Sequence, residues 1–357
     1  MKNKSIKILT LLGLLSLAAC NKQEVEAPVS ASEGKIVLDV TLPDAPLTKA
    51  TSAYSTAQTY ESQVNSVQIL VFNSSTGVLD KYHNAGKTLT GISLSTVQGS
   101  KTVWAVINGP DLSSVGTLSA LQSVALTLGG NNSTTASTGF VMAGSASCTV
   151  GASAATCSIT ASRFVSRVAL VSVKNEIPAV YGALTINAVW LSNVVGNQNI
   201  AGNAGMSTWY NKFGRADEST QVSSHIIDGS TYKASCPDLT FKSLSQSVTN
   251  GSTHTPSTPY LFYSFPNSST TAPKAFSTSF TEQRSVLVVK ATVNGTAYYY
   301  PVTLDDATLA RNTTYTVALT ITGIGSTDPN VPVQKGNMSV SINVSGWSSG
   351  QVYDETI

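Results

Sequence analysis

The sequence predicts an all-β protein built from β-sandwiches. Apolar residues recur at a period of two in short runs, and Gly, Asn, Ser or Pro separates nearly all of those runs. Long helical periodicity is absent, with Leu112–Leu128 the one stretch able to hold a helix. Composition agrees: 11% of the 357 residues are charged and 7% aromatic, and a hydroxyl-rich surface suits short strands and polar turns. The length allows two domains at roughly 150 residues each.

The chain opens with Lys2, Lys4 and Lys7, an apolar run from Ile8 to Leu17, and Leu17-Ala18-Ala19-Cys20. The run is too short to span a bilayer, and small residues precede a cysteine, so a cleavable lipoprotein signal over residues 1–19 is expected. Cys20 then carries the lipid anchor; a buried cysteine after an ordinary signal is the bland alternative. Residues 21–34 are polar and aperiodic, a tether. Ile36, Leu38, Val40 and Leu42 alternate with Val37, Asp39 and Thr41, one apolar face of a strand. Pro43 and Pro46 interrupt it, leading to the basic site Leu47-Thr48-Lys49-Ala50.

Further strands are expected at Val64–Asn73, Lys101–Asn108, Phe164–Val173, Leu184–Val195, Tyr260–Phe265, Ser285–Val293, Ala297–Leu304, Tyr315–Ile324 and Ser339–Val344. A domain boundary near 165 divides a sandwich at 50–165 from one at 166–357. Cys148 and Cys157 flank a Gly/Ala/Ser-rich segment that reads as a hairpin turn. In an oxidising compartment they are expected to form a disulfide closing a small loop, stabilising by about 2–3 kcal/mol. A redox pair is disfavoured because the spacing is not Cys-x-x-Cys, and Cys236 reads as a small buried side chain.

Charge is nearly balanced, with 21 basic against 19 acidic residues, and residues 50–357 keep 15 against 14. Such a field attracts neither nucleic acid nor an anionic membrane. His83, His225 and His254 stand without metal-ligand spacing, and Asp305-Asp306 reads as a turn. No catalytic, cofactor-binding or metal-binding constellation is present in the sequence. Tyr298-Tyr299-Tyr300 reads as a strand with a buried tyrosine between two exposed ones, although exposed rings could stack on a sugar.

Met338, Val340, Ile342 and Val344 repeat the spacing of Ile36, Leu38, Val40 and Leu42. If both patterns suit one groove, one strand can replace the other in it. Cutting after Lys49 would release the first strand and admit the second from another molecule, by β-augmentation. The bland alternative is that both are ordinary strands. Gly346-Trp347 breaks the register, so an insert that includes Val352 and Ile357 is also open.

The chain resembles the FimA/Mfa-type fimbrial subunits of Bacteroidia. The matching pieces are Val67-Gln-Ile-Leu-Val-Phe-Asn73 with Thr76-Gly77, Arg163-Phe-Val-Ser-Arg167-Val, and Leu184-Thr-Ile-Asn-Ala-Val-Trp-Leu-Ser-Asn193. Tyr263-Ser-Phe-Pro-Asn267, Arg311-Asn-Thr-Thr-Tyr315, Gly323-Ile-Gly-Ser-Thr-Asp-Pro329 and Val344-Ser-Gly-Trp347 follow in the same order. The resemblance implies two transthyretin-like β-sandwich domains and export as an outer-membrane lipoprotein precursor that ends in a cell-surface fimbrium. It also implies trypsin-like cleavage and polymerisation by donor-strand exchange, with residues 20–49 a propeptide and 337–357 the donor region. Where Lys49 stands, many members carry arginine, so an arginine-specific protease would cut poorly here.

The partners implied are other copies of the chain, other fimbrial subunits and the processing protease, with a host protein or glycan as the class of receptor. A stalk subunit is the leading expectation, ahead of a tip or accessory adhesin. The rival is a monomeric, lipid-anchored glycan-binding protein using Trp190, Trp209-Tyr210 and the tyrosine run as a platform. An enzyme comes third.

Overall fold

The computed structural model describes residues 32–43, 58–202, 207–212, 239–273, 282–304, 308–329, 331, 333, 336–347 and 355–356. The N-terminal half carries β1 (Glu33–Thr41), β2 (Val67–Asn73), β3 (Leu79–Gly86), β4 (Ile92–Val97), β5 (Gly99–Ile107), β6 (Ala125–Thr127), β7 (Met142–Val150), β8 (Ala155–Thr160) and β9 (Ser162–Arg163). Two short helices, α1 (Thr59–Ser62) and α2 (Leu118–Gln122), lie between them. The C-terminal half begins with β10 (Ser166–Asn175), a 3-10 turn at Ala179–Tyr181, β11 (Leu184–Ser192), β12 (Val194–Val195), β13 (Asn197–Asn199) and β14 (Trp209–Tyr210). It continues with β15 (Phe241–Val248), β16 (Thr253–His254), β17 (Tyr260–Ser264), β18 (Val286–Val293), β19 (Thr296–Thr303), β20 (Thr313–Ile321), β21 (Met338–Gly346) and β22 (Glu355–Thr356).

Strands dominate, as the sequence predicts. In the N-terminal half a three-stranded sheet, β4-β1-β8, faces a five-stranded sheet, β3-β2-β5-β7-β9. In the C-terminal half β16-β10-β20-β21-β22, with β17 also on β10, faces β15-β11-β18-β19. Strand β2 shows how the layers share side chains. Val67, Ile69 and Val71 point into the core beneath the three-stranded sheet, whereas Leu70 and Phe72 point into the large core of the C-terminal half. Both faces of the five-stranded sheet are therefore covered, which is why β2 is buried along nearly its whole length.

The halves are joined by more than the peptide at Phe164-Val165. Strand β6 pairs antiparallel with β13 across the divide. Leu112, Leu121, Leu126, Phe140 and Val141 of the N-terminal half share one apolar cluster with Val168, Leu170, Phe262 and Tyr315.

Several expectations need correction. Leu112–Leu128 holds only the five-residue helix α2, N-capped by Thr117, whose hydroxyl accepts the Ala120 N–H at 3.1 Å. The segment then turns into β6, because pairing with β13 outweighs a helical pattern of three leucines. Thr149–Thr156 is not a hairpin turn. Strand β7 pairs with β5 and β8 pairs with β1, so the chain switches sheets there. Leu184–Val195 is interrupted at Asn193, which adopts φ 54°. A register shift between Ile186 and Ala188 changes which residues face inward. Leu184, Ile186, Val189 and Leu191 then face the main core, while Ala188 and Trp190 form a smaller cluster with Phe241, Val286 and Val288.

The tyrosine run also differs from expectation. Tyr300 is buried, while Tyr298 and Tyr299 are half-buried, with Tyr299 edge-on to Trp190 at 6.1 Å.

Gly144 of β7 is held without a side chain by a close approach. A Cβ there would fall onto the carbonyl oxygen of Thr160 at the end of β8. Gly144→Ala should therefore lower unfolding free energy by about 1–3 kcal/mol, read as a shift in denaturant midpoint. An unchanged midpoint would show that β8 does not press on β7.

Candidate functional site

The first part of the site is β1 itself. Ile36, Leu38 and Val40 are buried and Leu42 packs half-buried at the same core, so all four predicted positions share one inward face. Beneath them lie Val67, Ile69 and Val71 of β2, Val103, Ala105 and Ile107 of β5, and Met142 and Val150 of β7. On one side β1 runs antiparallel to β4, with Leu38 opposite Ile92; on the other it runs parallel to β8, with Leu38 opposite Cys157. Neither β4 nor β8 has another strand partner in its sheet. Removing β1 would leave a groove walled by two strands, each without a ladder partner.

The start of β1 fits closely. A Cβ on Gly34 would strike the Gly151 carbonyl and the Val150 side chain. Next to the middle of β1, Cys148 on β7 and Cys157 on β8 are joined as a disulfide with Cα atoms 6.1 Å apart. Cys157 is buried in the core that β1 covers, and Cys148 is half-buried beside it.

The second part is β21. Met338, Val340, Ile342 and Val344 pack half-buried against the large core. Nine residue pairs join β21 to β20, from Thr313 opposite Gly346 to Ile321 opposite Met338. The other edge meets β22 at two pairs, Ser341 with Thr356 and Ile342 with Glu355.

Just past β21, Trp347 is buried and stacks on Tyr263, ring centroids 6.0 Å apart. The guanidinium groups of Arg163 and Arg167 lie 4.7 and 5.0 Å from its ring centroid. Arg167 donates to both carboxylate oxygens of Glu61, at 3.0 and 2.8 Å, and the Tyr263 hydroxyl donates to Glu61 at 2.7 Å. Arg163 Nε donates to the Glu61 carbonyl at 2.7 Å. Asn312, at φ 53°, accepts the Trp347 N–H on its carbonyl at 2.8 Å and donates its own N–H to Val165 at 2.9 Å. Arg311 Nε reaches the Arg163 carbonyl at 3.2 Å, and its guanidinium lies 4.2 Å from the Phe164 ring centroid.

Burial pushes the Arg163 guanidinium down to about 10; Arg167 adds to this, and Glu61 opposes it. Burial, then the Glu61 charge, holds the Tyr263 hydroxyl well above its ordinary value, so it stays a hydrogen-bond donor. The cluster thus ties α1, the passage between the halves, and the end of β21 into one buried joint.

Four segments named separately in the sequence meet here: Arg163–Arg167, Tyr263, Arg311-Asn312 and Trp347. Sequence reasoning missed Glu61, which sits in a polar stretch read as featureless. Its signal was slight: a single carboxylate, in a chain poor in charge, available to answer two arginines in an apolar strand. Cys20, Lys49, Ala50, Cys236, His225 and Asp305-Asp306 lie outside the described residues. Trp190 and Trp209 are buried core residues, so they offer no platform to a glycan. Among the described residues no group of three His, Cys, Asp or Glu side chains could hold a metal ion.

Residues 36–206 match the family model of the major fimbrial subunit protein FimA. Over that stretch, just under half of its length, the chain is similar to the FimA family. Solved structures share the fold. A fimbrilin (FimA) from Porphyromonas gingivalis aligns over 89% of this chain and 99% of its own, with TM-score 0.58 and 11% identity. A cell adhesion protein from Bacteroides eggerthii aligns over 90% and 98%, with TM-score 0.57 and 20% identity. The tip fimbrial protein Mfa3 from Porphyromonas gingivalis aligns over 88% and 100%, with TM-score 0.53 and 14% identity. Among curated proteins no significant sequence match is found.

The buried joint makes a measurable prediction. Glu61→Ala leaves two guanidinium groups without their carboxylate and should destabilise by about 3–5 kcal/mol. The check is chemical denaturation of uncut protein; a loss below about 1 kcal/mol would mean that water reaches the arginines.

Proposed function

We propose that this chain is a structural subunit of a surface fimbria, exported as a lipoprotein through Cys20, cut after Lys49 and polymerised by donor-strand exchange. The observation that carries the reading is the position of β1. A strand from the N-terminal end of the chain fills the slot between β4 and β8, and a cut at Lys49 would sever it from everything that follows. The match to the FimA family model supports the subunit role, and adhesion follows from what such a surface fibre does.

Energetics decide how the strand leaves. Burying Ile36, Leu38 and Val40 stabilises by roughly 1.5–3 kcal/mol each, with about 1 kcal/mol net for each ladder hydrogen bond. Together these approach the whole stability of a domain, about 5–15 kcal/mol. Cleavage alone therefore leaves β1 seated, and a second strand must displace it. The stored precursor stays closed, and growth is confined to places where a donor is at hand.

The donor proposed is β21, whose four apolar residues repeat the spacing of β1. Their half-burial means that they give up less on leaving than β1 would. A second reading places the donor after Trp347, among residues that include Val352 and Ile357. It is favoured by the buried joint, which holds Trp347 as a fixed anchor at the foot of that segment. The partners are other copies of the chain and other fimbrial subunits, with a trypsin-like protease before assembly and a host protein or glycan as receptor.

Limited trypsin digestion of the chain from residue 21 onward tests the reading, with N-terminal sequencing, gel filtration and electron microscopy. A single cut after Lys49 followed by SDS-resistant oligomers is expected. A clean cut that leaves monomer would turn the assignment to a tip or accessory subunit. Two variants separate the donors: Ile342→Asp should abolish assembly with the monomer still folded if β21 is transferred. A chain ending at Trp347 should do so if the later segment is.

A further inference from the structure

We propose that the Cys148–Cys157 disulfide fixes β8 as the preformed wall of the assembly groove, so that a strand from a second copy pairs first along β8, running parallel to it. The inference rests on the exchange reading above and specifies which edge of the groove receives the strand.

With β1 seated, β4 and β8 are held alike, each by a ladder to β1. With β1 gone, neither keeps a ladder partner, and the two walls differ. Strand β8 remains fastened to β7 of the opposite sheet at three places. The chain passes directly from Val150 to Ala155 at one end. The disulfide joins the middle. At the far end the Thr160 carbonyl rests on Gly144, where no side chain intervenes. Strand β4 is tied to the opposite sheet at its two ends, from β3 through residues 87–91 and into β5 at Gln98, and by the apolar packing of Ile92 and Leu94, but among the described residues it carries no cross-link at its middle.

The bridge is placed where it matters most. Cys157 stands opposite Leu38, the middle of the strand that leaves, and is one of the buried residues of the emptied core. A wall held in register presents its N–H and C=O groups at fixed spacing, which lowers the ordering cost met by an incoming strand. The unclamped β4 can then close over the seated strand as the second wall. Because the bond spans two sheets rather than two neighbours in one ladder, it adds nothing to pairing while β1 is present. Its effect belongs to the state in which β1 has left the slot.

The test uses the full chain from residue 21, uncut and cut after Lys49, as oxidised wild type, as wild type treated with dithiothreitol, and as the Cys148→Ala/Cys157→Ala variant. Uncut samples should show closely similar hydrogen exchange on residues 155–160, since β1 still pairs with β8. Once the cut protein has been freed of its β1 peptide, loss of the disulfide should accelerate exchange on 155–160 at least tenfold while 92–97 change little. Oligomer growth followed by light scattering should slow by at least tenfold.

Equal exchange in β8 with and without the disulfide, or equal acceleration in β4 and β8, overturns the proposal. So does unchanged oligomer growth. If the double variant fails to fold, reduction of already folded, cut wild type gives the same comparison. Oxidised, cut wild type that never assembles would sink the exchange reading, while the exchange pattern on β8 still judges the clamp.

Discussion

Among the described residues strand β1 is the only ladder partner of both β4 and β8, and the N-terminal half depends on that arrangement. A three-stranded sheet whose middle member is removed has no pairing left. The side chains that β1 buries are the lid of the core beneath, so hydrogen bonding and apolar burial are lost together. No other described strand is placed so that its loss unpairs two others and opens a core at once. The fold is therefore complete only while the slot is filled, and the filler need only supply alternating apolar residues and an extended backbone.

The joint around Glu61 poses a different problem. Two guanidinium groups and one carboxylate sit among aromatic rings, where removing them from water is costly. The cost is offset by an ion pair in which one Arg167 nitrogen reaches both Glu61 oxygens, a tyrosine donor and the face of Trp347 shared between both arginines. Apolar residues could fill this volume with less desolvation. The polar solution fixes geometry instead: Glu61 has one position in which Arg167 and the Tyr263 hydroxyl both donate to its carboxylate. That specificity falls where α1, the passage between the halves and the end of β21 must agree.

Much of the fold was legible because strands buried on one face write their pattern openly. The inward face of β1, the apolar runs of β2 and β18, and the spacing of β21 could all be read directly. What could not be read has physical reasons. Strands β3 and β7 carry small or polar residues, Leu79-Asp-Lys-Tyr and Ala143-Gly-Ser-Ala-Ser, and owe their structure to neighbours rather than to propensity. Strand β8 looked like the return arm of a hairpin because local sequence does not say which sheet a strand joins. The bulge near Asn187 moved Trp190 off the main core, a change of phase invisible without the partner strands. In the candidate site, the two repeating apolar faces were plain, but Glu61 was not, since nothing near it in sequence marks it as buried.

The large apolar cluster that both halves share, with β6 laid against β13, has a mechanical consequence. Neither half can tilt against the other without opening a continuous core, so the hinge that tandem domains usually possess is missing from the body of the molecule. In a fibre made of such units, bending would concentrate at the seams between successive copies. Its persistence length would then be governed by one borrowed strand per seam rather than by the architecture of the subunit.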